Sequence, residues 1–243
     1  MAETLTLKTL LLAFAGGMIP ALVWLFFWLH EDRKKPEPRG LIALSFFVGI
    51  IAVIITFPIE KFFYGLLGNP DISIASSSIW ILNTPIIIWV FAAVEELIKF
   101  GGAYLIALRS KYFDEPIDAM IYLITVALGF SAMENSLYIL NLLLDGGIAN
   151  AAINANLRFL GATLLHTVAS ASIGIAIAFA YFKGKRFLYL SLGILTAIVL
   201  HAVFNLSIIK ATTTAEILTV FSYFWIIVVV IIFIFEKVKR LKR

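Results

Sequence analysis

Seven runs of apolar residues, each long enough to cross a bilayer as a helix, leave this chain few folds to choose from. They lie at about Leu5–Leu29, Leu41–Phe63, Pro85–Leu108, Ile117–Leu144, Leu157–Phe182, Phe187–Ile208 and Ile217–Phe235. Within lipid each backbone N–H and C=O must find a partner inside its own segment, so such runs become helices. Composition agrees: 62% of the residues are apolar and 14% charged, whereas soluble domains are roughly half apolar and about a quarter charged. The expectation is an all-α polytopic bundle, a single integral-membrane domain over residues 1–243. GNPDISIASSS, after the second run, reads as a loop because Asn-Pro, Gly and serines interrupt it, and Ile79–Leu82 as an interfacial stretch. The chain has no cysteine, which removes disulfides, thiolate metal sites and Cys nucleophiles.

The basic residues give an orientation. Arg33, Lys34, Lys35, Arg39, Arg109, Lys111, Lys183, Lys185, Arg186 and five in the tail EKVKRLKR fall in alternate connections, fourteen on one side. The opposite segments hold Lys8, Lys61, Arg158 and Lys210. By the positive-inside rule the C-terminus is cytoplasmic and the N-terminus outside. The net charge of +4 therefore reflects topology and the bilayer as partner, not nucleic acid. Ala13-Phe14-Ala15 resembles a cleavage site, but apolar sequence continues to Leu29, so the first run reads as an uncleaved span.

Against this background the ionisable residues inside the spans stand out, because each opposes insertion. FAAVEELIKF carries Glu95, Glu96 and Lys99, with Lys99 one turn from both glutamates. One Glu–Lys pair would serve to fix helix register; two glutamates leave a surplus carboxylate. The fourth span holds Asp118, Tyr122, Gly129, Phe130, Glu134, Asn135 and Tyr138. Of these, Gly129 suits close helix packing and Asp118 a helix N-cap; Glu134 fits neither role. The fifth span carries Arg158 at its start and His166, the sixth His201 and Asn205 one turn apart. At a rise of about 1.5 Å per residue, Glu95 and Glu134 lie roughly 15 Å from the outer ends of their spans, His166 about 14 Å and His201 about 10 Å. Four helices thus bring polar groups to one level, as a shared site requires.

Carboxylates, imidazoles and an amide can activate water and stabilise an oxyanion. They could also ligate a divalent metal such as zinc, through His166, His201 and Glu95. HExxH, GxSG and GxGD motifs are absent. The preferred reading is hydrolysis without a cofactor. A proton-coupled carrier using the same charges is the alternative, though no repeat of broken helices supports it; a non-catalytic membrane partner is a third.

The motifs, in order, resemble those of the PrsW-type intramembrane proteases, relatives of the CAAX endopeptidase and bacteriocin-processing superfamily. EELIK at Glu95–Lys99 matches that family's EExxK. Asp118 through Tyr122 and Phe130-x-x-x-Glu134 to Tyr138 match the second element. His166, preceded by Arg158, matches the third, and HAVFN at His201–Asn205 the fourth. The resemblance implies a glutamate-dependent protease with its core at about residues 85–208, acting on a membrane-anchored protein, such as an anti-sigma factor, near the outer face. It implies Glu95 and Glu96 as a water-activating pair, His201 and Asn205 as the oxyanion site, and Glu134 and His166 completing the cavity. Lys99, Asp118, Tyr122, Asn135, Tyr138 and Arg158 would support them. The endopeptidase branch has histidine where this chain has Glu134.

Overall fold

The structure, a computed structural model, describes residues 5–31, 36–67, 85–181 and 185–240, with the backbone alone at 31, 145–156, 158 and 159. Among these residues the chain is entirely helical: α1 (Leu7–Glu31), α2 (Arg39–Leu67), α3 (Ile86–Ala103), α4 (Asp118–Leu160), α5 (Ala162–Ala180), α6 (Arg186–Lys210) and α7 (Thr214–Val238). A wider π turn, Tyr104–Leu108, prolongs α3. Six helices carry stretches long and apolar enough to cross a membrane; α3 falls outside that set and is the helix bearing Glu95, Glu96 and Lys99. The chain is a multi-pass membrane protein, and the expected helical bundle is what it forms. The GNPDISIASSS loop and the Ile79–Leu82 stretch lie outside the described residues.

The expected loop between the fourth and fifth spans is instead helical, and α4 runs on to Leu160 before Gly161 separates it from α5. That run cannot be straight. Asn135 Nδ2 donates to Thr163 Oγ1 at 3.0 Å, although 28 residues of straight helix would separate them by about 42 Å. The helical chain therefore doubles back between Leu144 and Leu157, so two antiparallel limbs replace the expected helix–loop–helix. Arg158, expected at the start of the fifth span, lies in the last turn of α4, and its side chain is outside the described residues.

The first limb of α4 is the axis of the bundle. Nearly every side chain from Ile117 to Ser136 is buried, because α1, α2 and α5 pack around it. Its polar residues are accommodated locally. Thr125 donates to the Ile121 carbonyl and Ser136 to that of Ala132, each at 2.7 Å, which satisfies hydroxyls that lipid would leave unpaired. Asp118 opens the helix but does not cap it. Its Oδ2 accepts the N–H groups of Asp114 and Glu115 at 2.9 and 2.7 Å, fastening the preceding turn. At the other end of the chain Thr213 and Glu216 form a reciprocal capping box that starts α7.

Gly129 brings α2 and α4 into backbone contact, since a Cβ there would run into the Phe46 carbonyl. Gly129→Leu should destabilise the bundle by about 1–3 kcal/mol through overpacking, seen as a lower melting temperature in detergent. Gly101→Ala is the matched control, because no atom lies within 4 Å of the added carbon. Equal melting temperatures for the two variants would show that the α2–α4 contact does not hold the bundle.

Candidate active site

Four helices bring six ionisable side chains together, five of them joined by hydrogen bonds. Lys99, fully buried on α3, donates to Glu96 Oε1 at 2.6 Å and to His166 Nδ1 at 3.0 Å. Glu96 Oε1 also receives His201 Nδ1 at 2.7 Å. His166 Nε2 meets Glu134 Oε2 at 2.8 Å. The Lys99 ammonium lies 4.8 Å from the centre of the Phe130 ring, which adds a cation–π contact.

These contacts set the tautomers. An ionised carboxylate can only accept, so the ring nitrogen facing it carries the proton. Glu96 thereby keeps the His201 proton on Nδ1, and Glu134 keeps that of His166 on Nε2. The remaining nitrogens, His201 Nε2 and His166 Nδ1, present lone pairs, and each lies 3.8 Å from Glu95 Oε2. That oxygen is buried and makes no hydrogen bond. Three acceptor atoms, one each from Glu95, His166 and His201, thus lie within 4.8 Å of one another. Such a set calls for a proton or a cation among them.

The donors suit a divalent metal. Ligands around one zinc lie roughly 3.4 Å apart, so a modest contraction suffices. Glu96 and Glu134 already stand behind the two imidazoles, as carboxylates behind metal-bound histidines do. Lys99 opposes this, because its ammonium already occupies His166 Nδ1.

A cleft of about 200 Å³ opens beside the cluster, lined by Glu134, Tyr138, His166, His201, Asn205 and Phe221 among others. Glu134 is the most exposed acid of the cluster, with 35% of its side chain accessible, against 12% for Glu95 and none for Glu96. Asn205 borders the cleft one turn beyond His201, and Tyr138 borders it from α4.

Of the residues singled out in the sequence, Glu95, Glu96, Lys99, Glu134, His166, His201, Asn205 and Tyr138 come together. Asn135 is adjacent but serves the scaffold, donating to Ser131 at 3.1 Å and to Thr163 at 3.0 Å. Asp118 and Tyr122 do not join the site. They lie three to four turns nearer the start of α4, where the Tyr122 hydroxyl donates to Glu37. Glu37 precedes α2 and escaped notice in the sequence, since it sits in the charged connection HEDRKKPEPRG.

The family described as "PrsW family intramembrane metalloprotease" matches residues 37–234. Curated relatives carry the name Protease PrsW. That of Geobacillus kaustophilus strain HTA426 is 27% identical over 192 residues, covering 79% of this chain and 77% of the relative. That of Clostridioides difficile strain 630 is 27% identical over 232 residues, covering 91% and 84%. That of Bacillus subtilis strain 168 is 25% identical over 197 residues, covering 79% and 80%. No solved structure matches. With the match spanning the cluster and most of the bundle, the chain belongs to the PrsW family of intramembrane proteases.

Proposed function

We propose that the protein hydrolyses a peptide bond of a membrane-anchored substrate near the outer face, with Glu95 receiving the proton of the attacking water. The observation that carries this reading is the convergence of Glu95 Oε2, His166 Nδ1 and His201 Nε2 beside the cleft. Glu95 is the acid of the α3 pair left without a hydrogen bond and is free to act as base. Glu96 is the orienting acid, fixing His201 and neutralising Lys99. Glu134 holds His166 in one tautomer and borders the cleft, within reach of a leaving amine. The Asn205 side-chain amide supplies a donor toward a developing oxyanion from the cleft wall.

The converging acceptors also support a metal-dependent form, contrary to the cofactor-free preference drawn from the residues alone. Glu95, His166 and His201 would hold the ion, and a zinc ion so bound supplies Lewis acidity and lowers the pKa of water. Lys99 on His166 Nδ1 favours the carboxylate-only form. The carrier reading has no comparable support, since the family is one of proteases.

The expected topology supports a substrate anchored in the membrane and cut on its outer side. The cleft is lined by Leu157 and Ala162 from the α4–α5 connection and by Ile208 and Ile217 from the α6–α7 connection. These connections lie opposite the basic loops, hence outside under the positive-inside reading. An anti-sigma factor with one span would present its extracytoplasmic stalk there, as the family resemblance suggests.

The test is cleavage of a panel of tagged single-span substrates by purified protein, with product length and zinc content measured together. The expected product still contains its membrane span; bound zinc at one equivalent that rises and falls with activity would mark the metal-dependent form. Full activity after chelation to zinc-free protein would eliminate the metal-dependent form. A cut on the basic side of the span would overturn the cleavage geometry.

A further inference from the structure

The buried stripe of α2 points to a residue of the site that no motif marks. Phe46, Gly49, Val53 and Thr56 are buried at spacings of three, four and three, which is one face of a helix. The next position on that face, four beyond Thr56 and seven beyond Val53, is Glu60. Ala52 and Val53 form one cluster with Phe130 of α4, against which Met133 of α4 and Ile98 of α3 pack. Continuing both helices outward from that contact carries Glu60 to about one turn beyond Glu134, facing α3 and α4. Independently of the register, Glu60 lies within electrostatic reach of Glu134, Lys99 and Glu95. It is partly buried, whereas its neighbour Lys61 is exposed.

We propose that Glu60 is a further carboxylate of the hydrolytic site, a positioning residue supplied by α2 that acts through Glu134 and Glu95. The inference rests on the proposed hydrolytic reading. Glu60, Glu95, Glu96 and Glu134 face a single ammonium, Lys99. A carboxyl placed there adds an acceptor beside Glu134 and Glu95 and favours retention of a proton or a cation among them. Glu60 enters from the α2 side, whereas the cleft is lined by α4, α5, α6 and α7. It therefore adds this acceptor without occupying the space a substrate needs. The buried hydroxyl of Thr56, one turn before it, makes no hydrogen bond and extends the same polar face toward the cluster.

Four variants measured together test this on a tagged single-span substrate: Glu60→Gln, Glu60→Asp, Lys61→Gln and Glu95→Gln. Glu60→Gln should lower kcat roughly tenfold, about one pKa unit's worth of interaction with its partners, with KM and melting temperature unchanged. Glu60→Asp should recover most of the rate, and Lys61→Gln should match wild type. Wild-type kcat in Glu60→Gln, with Glu95→Gln inactive, would overturn the role of Glu60 and leave the hydrolytic reading standing. An active Glu95→Gln would instead overturn the reading beneath it. A loss in Glu60→Gln that Glu60→Asp does not relieve, or that comes with a lowered melting temperature, would mark Glu60 as structural and also overturn the proposal.

Discussion

Glu95→Gln is expected to reduce cleavage of a membrane-anchored substrate by at least about a thousandfold while leaving the melting temperature at or above that of wild type. Both halves follow from one oxygen. Glu95 Oε2 accepts no hydrogen bond and meets Lys99 only at 3.9 Å, so an amide in its place breaks no bond in the scaffold. The same oxygen is the point on which His166 and His201 converge, so its basicity or its metal-ligating capacity is lost. Measuring rate and melting temperature on one preparation separates the two effects. Residual activity above about a tenth of wild type would remove Glu95 from the chemistry.

Glu96→Gln should behave differently, although the two residues are adjacent. Glu96 Oε1 joins Lys99 and His201 at 2.6 and 2.7 Å with neither Glu96 nor Lys99 exposed. Removing one member of a buried ion pair leaves an uncompensated charge and costs about 3–5 kcal/mol. Thermal unfolding should therefore shift down markedly and activity should vanish, because His201 loses the acceptor that sets its tautomer. The double variant Glu96→Gln with Lys99→Met should regain much of the stability without regaining activity. If Glu96→Gln melts like wild type, the Lys99–Glu96 pair is not what holds α3 to the site.

The difference between these two glutamates could not be read from the chain. Successive residues on a helix point about 100° apart, and which of them meets His201 depends on how α3 and α6 cross. The resemblance implied an equivalent water-activating pair; the buried Glu96–Lys99 pair sets Glu96 apart. The depth of the polar residues was legible, because rise per residue is fixed once the spans are recognised. That depth alone was enough to gather Glu95, Glu134, His166 and His201. Their pairing, Glu96 with His201 and Glu134 with His166, was not legible, since it is decided between helices far apart in sequence. Asp118 and Tyr122 show the opposite failure. A shared motif grouped them with the site, but the 16 residues between Asp118 and Glu134 amount to about 24 Å of helix. Glu60 escaped for a simpler reason. Beside Lys61 near the end of a span it resembles an ordinary interfacial pair, and only the burial pattern of α2 turns it inward.

The distribution of the acid–imidazole pairs among the helices bears on how such an enzyme is made. Each pair is split, Glu96 of α3 with His201 of α6 and Glu134 of α4 with His166 of α5. The chain enters the membrane from its N-terminus, so α1 to α5 can be inserted while His201 is still in the ribosome or the translocon. At that stage Glu96 has its lysine but no imidazole to orient, and the acceptor triangle lacks one corner. On the proposed site assignment, competence for hydrolysis therefore arises only when the sixth helix closes the ring.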